Sequence, residues 1–204
     1  MSPFHTYGTN MRIALFAVAL SVSACAFAGD QKAVAVHSWP SCLGMICYGD
    51  ELPDAKHVVA TFGGVLHRTD QDEQSFCYSD GKRFLKLTVH NEIPAYISSA
   101  QLSNQRICSG GTHSKIPLRS LKTREGLVLG QSFDQVLATY GPPNVIQYDD
   151  RTVQWDAELL SAQLDAIKDD SILQYGPTSA DTLFEASIHI RAGRIVGIEL
   201  SNAE

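Results

Sequence analysis

Hydrophobic residues recur at helical spacing in two short stretches of the chain, 54–62 and 132–140. The apolar positions fall at i, i+3, i+4 and i+7 in both: Ala55, Val58, Val59 and Phe62, and then Phe133, Val136, Leu137 and Tyr140. Each stretch therefore predicts a short amphipathic helix. A third helix is predicted over 157–168, where Leu160, Leu164 and Ile167 share one face.

The residues that flank the first two helices support their predicted ends. Asp54 and Ser132 are good N-cap residues, and Gln135 stands at the capping-box spacing from Ser132. Gly63 and Gly141 follow the last apolar position of each helix, where a left-handed C-terminal cap favours glycine. The two predicted helices therefore match each other in their first residue, their apolar face and their last residue.

Apolar and polar residues alternate in six other stretches, a pattern that is typical of half-buried β-strands. These stretches are residues 75–81, 84–91, 97–103, 144–156, 184–190 and 195–201. A turn is predicted at Asp149-Asp150, inside the fourth stretch. Trp155 follows Val153 by two positions, so we expect it on the packed side of its strand, although a role as a binding anchor is the alternative.

Helix and strands recur in the same order along the chain, which suggests an internal duplication. The helices match at an offset of 78 residues, and the last two strand stretches match at offsets of 99 and 98. We therefore predict an α+β protein of two tandem units, each with one or two short helices packed on about four antiparallel strands. The predicted units are 42–106 and 118–204, joined by a linker at 107–117. Chance similarity is the alternative explanation.

The first 28 residues have the character of an export signal. Between Met11 and Asp30 there is one basic residue, then an apolar run that is too short to span a bilayer, then small residues. Cleavage after Ala28 would leave a soluble protein with a linker at 29–41 before the first unit. Cleavage at a lipobox before Cys25 would leave that cysteine for lipid attachment. Both routes stay open, and a buried N-terminal helix is the third alternative.

Cysteine usage agrees with export. Both processing routes take Cys25 out of consideration and leave Cys42, Cys47, Cys77 and Cys108, an even set that is expected to pair in an oxidising compartment. Four cysteines allow three pairings, of which we favour Cys42 with Cys47 and Cys77 with Cys108. Metal-ligand spacing is absent from the sequence, so neither a metal nor another cofactor is predicted.

Composition limits the classes of partner. The 204 residues are 44% hydrophobic and 19% charged, with a formal net charge of −6 and no basic cluster. A nucleic acid is therefore not an expected partner, because its phosphates are bound by clustered Lys and Arg. Contact with a membrane is expected only through a lipid at Cys25. Neither a nucleophile elbow nor a zinc-hydrolase motif occurs, so we predict a protein that is not an enzyme.

The segment GLVLGQSFDQVLATYGPP, from Gly126 to Pro143, resembles the helix-turn segment of the superfamily of β-lactamase-inhibitor-like proteins and small barrel-assembly lipoproteins of the bacterial envelope. About 18 residues carry this resemblance, and the first copy matches only loosely. The resemblance implies a helix-on-sheet fold and an envelope or secreted setting. The predicted second unit departs from the inhibitor family because it has no cysteine.

Polar residues of the predicted strands are the candidate binding residues. His90 and His189 match each other in the two copies, opposite the apolar side of their strands. The candidate partner-binding set is Lys86, His90, Glu185, His189 and Arg191. The alternative is that these residues have no binding role, because any antiparallel sheet that is packed on one side exposes polar side chains to solvent on the other. The predicted function is protein binding by an exported envelope protein, or alternatively inhibition of a β-lactamase or a cell-wall hydrolase.

Overall fold

Strands form most of the regular structure in this computed structural model, which describes residues 39–49, 51–67, 69, 71–176 and 184–202. The described residues belong to one compact unit. The predicted signal peptide, with Cys25 and Ala28, lies outside the described residues. Among the described residues, no helix is both long enough and apolar enough to cross a membrane.

Three α-helices are described: α1 Ala55–Phe62, α2 Phe133–Tyr140 and α3 Ala157–Asp169. All three were predicted from apolar spacing. Asp54 caps α1 by accepting a hydrogen bond from the Lys56 amide, and Ser132 with Gln135 forms the predicted capping box of α2. Gly63 adopts the predicted left-handed cap, with φ of 96°. The same prediction was wrong for Gly141, whose ψ of −163° lies outside the left-handed helical region.

The described strands form two sheets. A two-stranded hairpin pairs β1 with β2, and a mixed sheet of nine strands has the order β6-β3-β4-β5-β11-β10-β9-β7-β8. The strand bounds are β1 Cys42–Leu43, β2 Ile46–Cys47, β3 Glu73–Ser79, β4 Phe84–His90, β5 Tyr96–Ser103, β6 Thr112–His113, β7 Val145–Tyr148, β8 Arg151–Gln154, β9 Asp170–Tyr175, β10 Phe184–Arg191 and β11 Arg194–Asn202. Every pairing in the larger sheet is antiparallel except that of β3 with β6.

The predicted fold class, α+β with two helix-on-sheet units, is wrong. The protein is mostly β, with 42% strand against 18% helix, and its strands do not divide into two sheets of about four. The reason is the pairing of β5 with β11, which runs from Ser99↔Ser201 to Ser103↔Gly197 and joins the strands into one sheet. That pairing satisfies backbone groups that two separate sheets would leave at free edges. The linker predicted at 107–117 contains β6, which adds to the edge of this sheet.

The core lies on one side of the large sheet. Alternate residues of the central strands are fully buried there, including Leu85, Leu87, Ile188 and Leu200. The buried side chains of α1 and α2, and Ile167 of α3, belong to the same cluster. Helices of eight residues are marginal alone in water, so this contact with the sheet stabilises them. The described helices therefore pack on one side of the sheet and leave the other side without a helix.

Two disulfides staple the chain. Cys42 pairs with Cys47 across the β1–β2 hairpin, and Cys77 of β3 pairs with Cys108, which precedes β6. Both pairs are those favoured from the sequence. The second disulfide holds the segment that carries β6 against the edge of the large sheet.

Candidate functional site

The side of the nine-stranded sheet that faces away from the helices is the candidate site, and we name it the open face. Register assigns to it the residues that alternate with the buried ones. In the four central strands these include Lys86, Thr88 and His90 of β4, Tyr96, Ser99 and Gln101 of β5, Gly197, Glu199 and Ser201 of β11, and Glu185, Ser187, His189 and Arg191 of β10. Most of these side chains are polar and half-buried, because neighbouring strands flank them.

One row of the open face crosses five strands without interruption. Residues that are directly opposite one another in successive strands are Lys86, Gln101, Glu199, Ser187 and Gln174. Directly opposite side chains in antiparallel strands lie close enough to contact one another. The row therefore places hydrogen-bonding groups side by side across the middle of the sheet, with a cation in β4 and an anion in β11.

His189 lies close to Glu199 within the open face. Its Nε2 is 3.7 Å from Glu199 Oε2, and the two side chains are 29% and 33% exposed. Gly197 is directly opposite His189, and a Cβ at that position would lie 3.3 Å from the His189 Cβ and Cγ. The missing side chain at Gly197 thus leaves room for the imidazole against the sheet.

His90 lies at the end of β4, in different surroundings. Its ring stacks on Tyr96, with the ring centroids 5.2 Å apart, and its Nε2 is 3.4 Å from Glu92 Oε1. Glu92 belongs to the loop between β4 and β5, and Tyr96 is the first residue of β5. His90 therefore contacts a loop residue and an aromatic ring at the end of the sheet, whereas Glu199 and Gly197, beside His189, both belong to the neighbouring strand β11.

The sheet does not bring the two histidines together. Three strand spacings separate β4 from β10, and the rows of His90 and His189 cross β5 at Tyr96 and Ser103 respectively. With spacings of ~4.8 Å between strands and a rise of ~3.4 Å per residue, the two side chains are on the order of 25 Å apart. They share a surface, but they are too far apart to act on one small molecule.

The other candidate residues are spread across the same surface. Lys86 lies in the central row and has no ion pair or side-chain hydrogen bond with another described residue. Arg191 donates to Asp170 Oδ2 over 2.9 Å at one end of β10, and Glu185 is exposed at the other end. The open face thus carries charges of both signs, and only some of them are neutralised within it.

Buried tyrosines belong to the core on the helix side of the sheet. Burial raises the pKa of Tyr48, and the nearby Glu199 carboxylate adds to this effect. Burial also raises the pKa of Tyr140, whose hydroxyl donates to Glu125 Oε2 and lies 2.6 Å from Thr123 Oγ1. Both hydroxyls stay neutral near pH 7. The Tyr140 hydroxyl forms hydrogen bonds, whereas the Tyr48 hydroxyl is buried without a hydrogen-bond partner among the described residues.

The described residues hold no group of three or more His, Cys, Asp or Glu side chains arranged to bind a metal ion. Two clefts among the described residues lie at the margins of the sheet. One, of about 450 Å³, is lined by Leu66, His67, Asn91 and Ile93 among others, and another, of about 530 Å³, lies beside Asp149, Asp150 and Asp170. The proximity of these aspartates follows from the pairing of β7 with β9.

Three members of the central row, Gln101, Gln174 and Glu199, were also missed from the sequence. Each is an ordinary polar residue on the exposed side of an alternating strand. They are recognised by their position directly opposite other members of the row in neighbouring strands. The alternation of apolar and polar residues does not show which strands are neighbours, so the sequence could not reveal this. Comparison with family models, with characterised proteins and with solved structures found no match for this chain.

Proposed function

We propose that this is a non-enzymatic, exported protein of the bacterial envelope that binds a partner protein through the open face. The single observation that carries the proposal is the one-sided packing of the sheet. The buried apolar residues described in the three helices lie on one side of the sheet, and the polar row from Lys86 to Gln174 is left without a covering element among the described residues.

The chemistry of the open face favours a protein partner over a small molecule. The row is extended, and it carries two amides, one hydroxyl and two charges over five strands. Small-molecule sites are usually concave and mostly apolar, whereas protein interfaces combine many dispersed hydrogen bonds over a large area. Lys86, which is not ion-paired with a described residue, suits an acidic group of the partner.

Export is the second part of the proposal. The signal-like N-terminus and two disulfides support an oxidising compartment. The resemblance of residues 126–143 to the envelope superfamily is a further, weaker support. Mass spectrometry of the protein made in a Gram-negative host distinguishes the two routes, since a lipid-modified Cys25 would place it on a membrane and an N-terminal Gly29 would leave it soluble.

Site-specific photo-cross-linking in the envelope tests binding through the open face. A photoreactive residue at Gln101 should cross-link a discrete partner, because Gln101 lies in the middle of the central row. The matched control is Lys56, which is exposed on α1 on the other side of the sheet. Lys86→Glu should weaken the Gln101 cross-link at least several-fold while the far-UV circular dichroism stays unchanged.

The proposal fails if Lys56 captures the same partner as efficiently as Gln101, or if Lys86→Glu leaves the Gln101 cross-link unchanged. Either result would place the binding surface elsewhere on the molecule. A catalytic activity of the purified protein would contradict the non-enzymatic part independently.

An inhibitor of an extracytoplasmic enzyme is the second candidate function, and one feature favours it. Ile93, in the loop between β4 and β5, is 87% exposed and lines the cleft of about 450 Å³. Val65, which precedes Leu66 of the same cleft, is 64% exposed. A protruding apolar side chain of this kind suits insertion into the cleft of an enzyme. Ile93→Ser should then abolish inhibition of a β-lactamase or cell-wall hydrolase panel, whereas Lys86→Glu should have little effect.

A further inference from the structure

The two edges of the nine-stranded sheet are protected to different degrees. At one edge, β6 pairs with β3 at Tyr78 and Ser79, and the Cys77–Cys108 disulfide holds this segment in place. At the other edge, β8 pairs with β7 only, and no other described strand covers its outer side. An uncovered edge strand is a ready template for a further strand.

Hydrogen bonding shows which backbone groups of β8 point outwards. The two-residue turn Asp149-Asp150 has positive φ at both residues and closes the hairpin at Tyr148↔Arg151. Trp155 N donates to Asn144 O over 3.2 Å, which continues the same ladder. Because alternate residues of a strand bond to opposite sides, the N–H and C=O groups of Thr152 and Gln154 point away from β7.

The side chains of this edge fall into two sets. Arg151, Val153 and Trp155 lie on the helix side of the sheet, where Val153 and Trp155 pack partly against the core. Thr152 and Gln154 are exposed on the open face. Arg151 is exposed and forms no ion pair or side-chain hydrogen bond with another described residue. The edge thus combines a polar row, a half-covered apolar row and a cation that is not paired with another described residue.

We propose that β8 pairs with β8 of a second copy of this chain, antiparallel and about a twofold axis at Val153. This register places Thr152 opposite Gln154 of the second copy and Val153 opposite its counterpart, and it satisfies the outward backbone groups of both chains. A contact with C2 symmetry must be self-complementary. Residues 152–154 meet this condition, because each outward-pointing residue lies opposite an outward-pointing residue of the second copy. The pairing extends the sheet through two protomers and leaves the central row of the open face uncovered.

The same register gives Arg151 a partner. It falls opposite Trp155 of the second copy, and the symmetry repeats the contact, so two guanidinium groups meet two indole rings. Asp150 and Asp156 of opposite chains face each other just beyond the paired residues. The short length of β8 makes the association weak, so we expect the dimer at high micromolar protein concentration.

Sedimentation equilibrium over a concentration series tests the proposal on the purified chain carrying Cys25→Ser, which removes the cysteine outside the two disulfides. The weight-average mass should rise towards twice the monomer mass. Thr152→Pro removes an outward N–H without removing a bond to β7, so it should weaken association at least tenfold. Ser75→Pro is the matched control on the opposite edge, where Ser75 also points outwards, and it should associate as the parent does.

Covalent trapping provides the second measurement if Thr152→Pro does not fold. In the proposed register the two Val153 Cα atoms are ~4.5 Å apart, within the range of ~4.4–6.8 Å that a disulfide spans. Val153→Cys in the Cys25→Ser background should therefore give a disulfide-linked dimer under a glutathione redox buffer, whereas Ser75→Cys should not. A parent chain that stays monomeric at the highest concentration, equal association of Thr152→Pro and the parent, or equal trapping at both positions would overturn the proposal.

Discussion

At the scale of single residues, four buried tyrosines, which are uncharged at neutral pH, make the packed core sensitive to alkaline pH. Tyr48, Tyr78, Tyr140 and Tyr175 all lose exposure to water when the chain folds, and burial disfavours the phenolate form of each. Tyr78 lies under α1, where its ring centroid is 5.4 Å from that of Phe62. These rings report on the integrity of the packed side independently of the open face.

The buried tyrosines make the stability of the protein sensitive to alkaline pH. Burial raises the pKa of Tyr78 from 10.0 to about 12, and it raises the pKa values of Tyr48, Tyr140 and Tyr175. The folded state then holds these protons more tightly than the unfolded state, so their contribution is complete below pH 10.0 and is lost as the pH rises above it. Absorbance at 295 nm should show these four ionising later than exposed tyrosine. A single titration near pH 10 for every tyrosine of the folded protein would contradict this.

At the scale of elements, the ends of the short helices depend on a few backbone conformations. Gly63 ends α1 with φ of 96°, and its amide donates to Ala60 O. The chain then returns to the sheet, where the Lys115 amide donates to Phe62 O over 3.2 Å. The C-terminus of α1 is therefore fixed both by its own cap and by the segment that follows β6.

Gly63→Ala should destabilise the protein by about 1–2 kcal/mol, because a left-handed backbone brings Cβ close to the following carbonyl oxygen. A Cβ at this position would also lie 2.8 Å from Lys115 Cγ, which must move. Urea unfolding gives the free-energy difference. Gly49→Ala is the matched control, since a Cβ there meets no atom within 4 Å and φ is not positive. An equal loss of stability in both variants would show that the cap conformation does not matter.

The disulfides should contribute unequally, because they close loops of different length. Cys77 and Cys108 are 31 residues apart in sequence, and Cys42 and Cys47 are 5 apart. Chain entropy then predicts that replacing Cys77 and Cys108 with serine lowers the free energy of unfolding by about 3–4 kcal/mol. Replacing Cys42 and Cys47 should lower it by about 2 kcal/mol. Urea unfolding of the two double variants measures both. The reverse order would mean that the β1–β2 hairpin contributes more than its loop length implies.

At the scale of the whole molecule, local pattern predicted the elements but not their assembly. The apolar spacing of Val58 and Val59 and the alternation around Leu87 specify a helix and a strand, because each depends on neighbours in sequence. The pairing of Leu102 with Ile198 depends on which strand edges meet, which leaves no periodic signal. For the same reason, neither β6 nor the central row of the open face could be predicted from the sequence. The two residues of β6 join the sheet by pairing with residues that are distant in sequence.

The continuity of the sheet leads to a prediction about cooperativity. Because β5 and β11 pair in the middle of one nine-stranded sheet, residues on both sides of this junction should unfold together. Calorimetry should give one transition with equal calorimetric and van't Hoff enthalpies. Leu200 is fully buried opposite Ala100 at the junction, so Leu200→Ala should cost about 2–5 kcal/mol.

The position of Leu200 decides between two ways in which this loss could appear. If the sheet is one cooperative unit, amide hydrogen exchange in β4 and in β9 should accelerate by the same factor in Leu200→Ala, because both strands open only through global unfolding. Ser201→Ala is the matched control, since its side chain lies on the open face and leaves the core intact. Two calorimetric transitions, or acceleration confined to β9 and its neighbours, would instead mean that the chain folds as two units that the β5–β11 pairing joins only weakly.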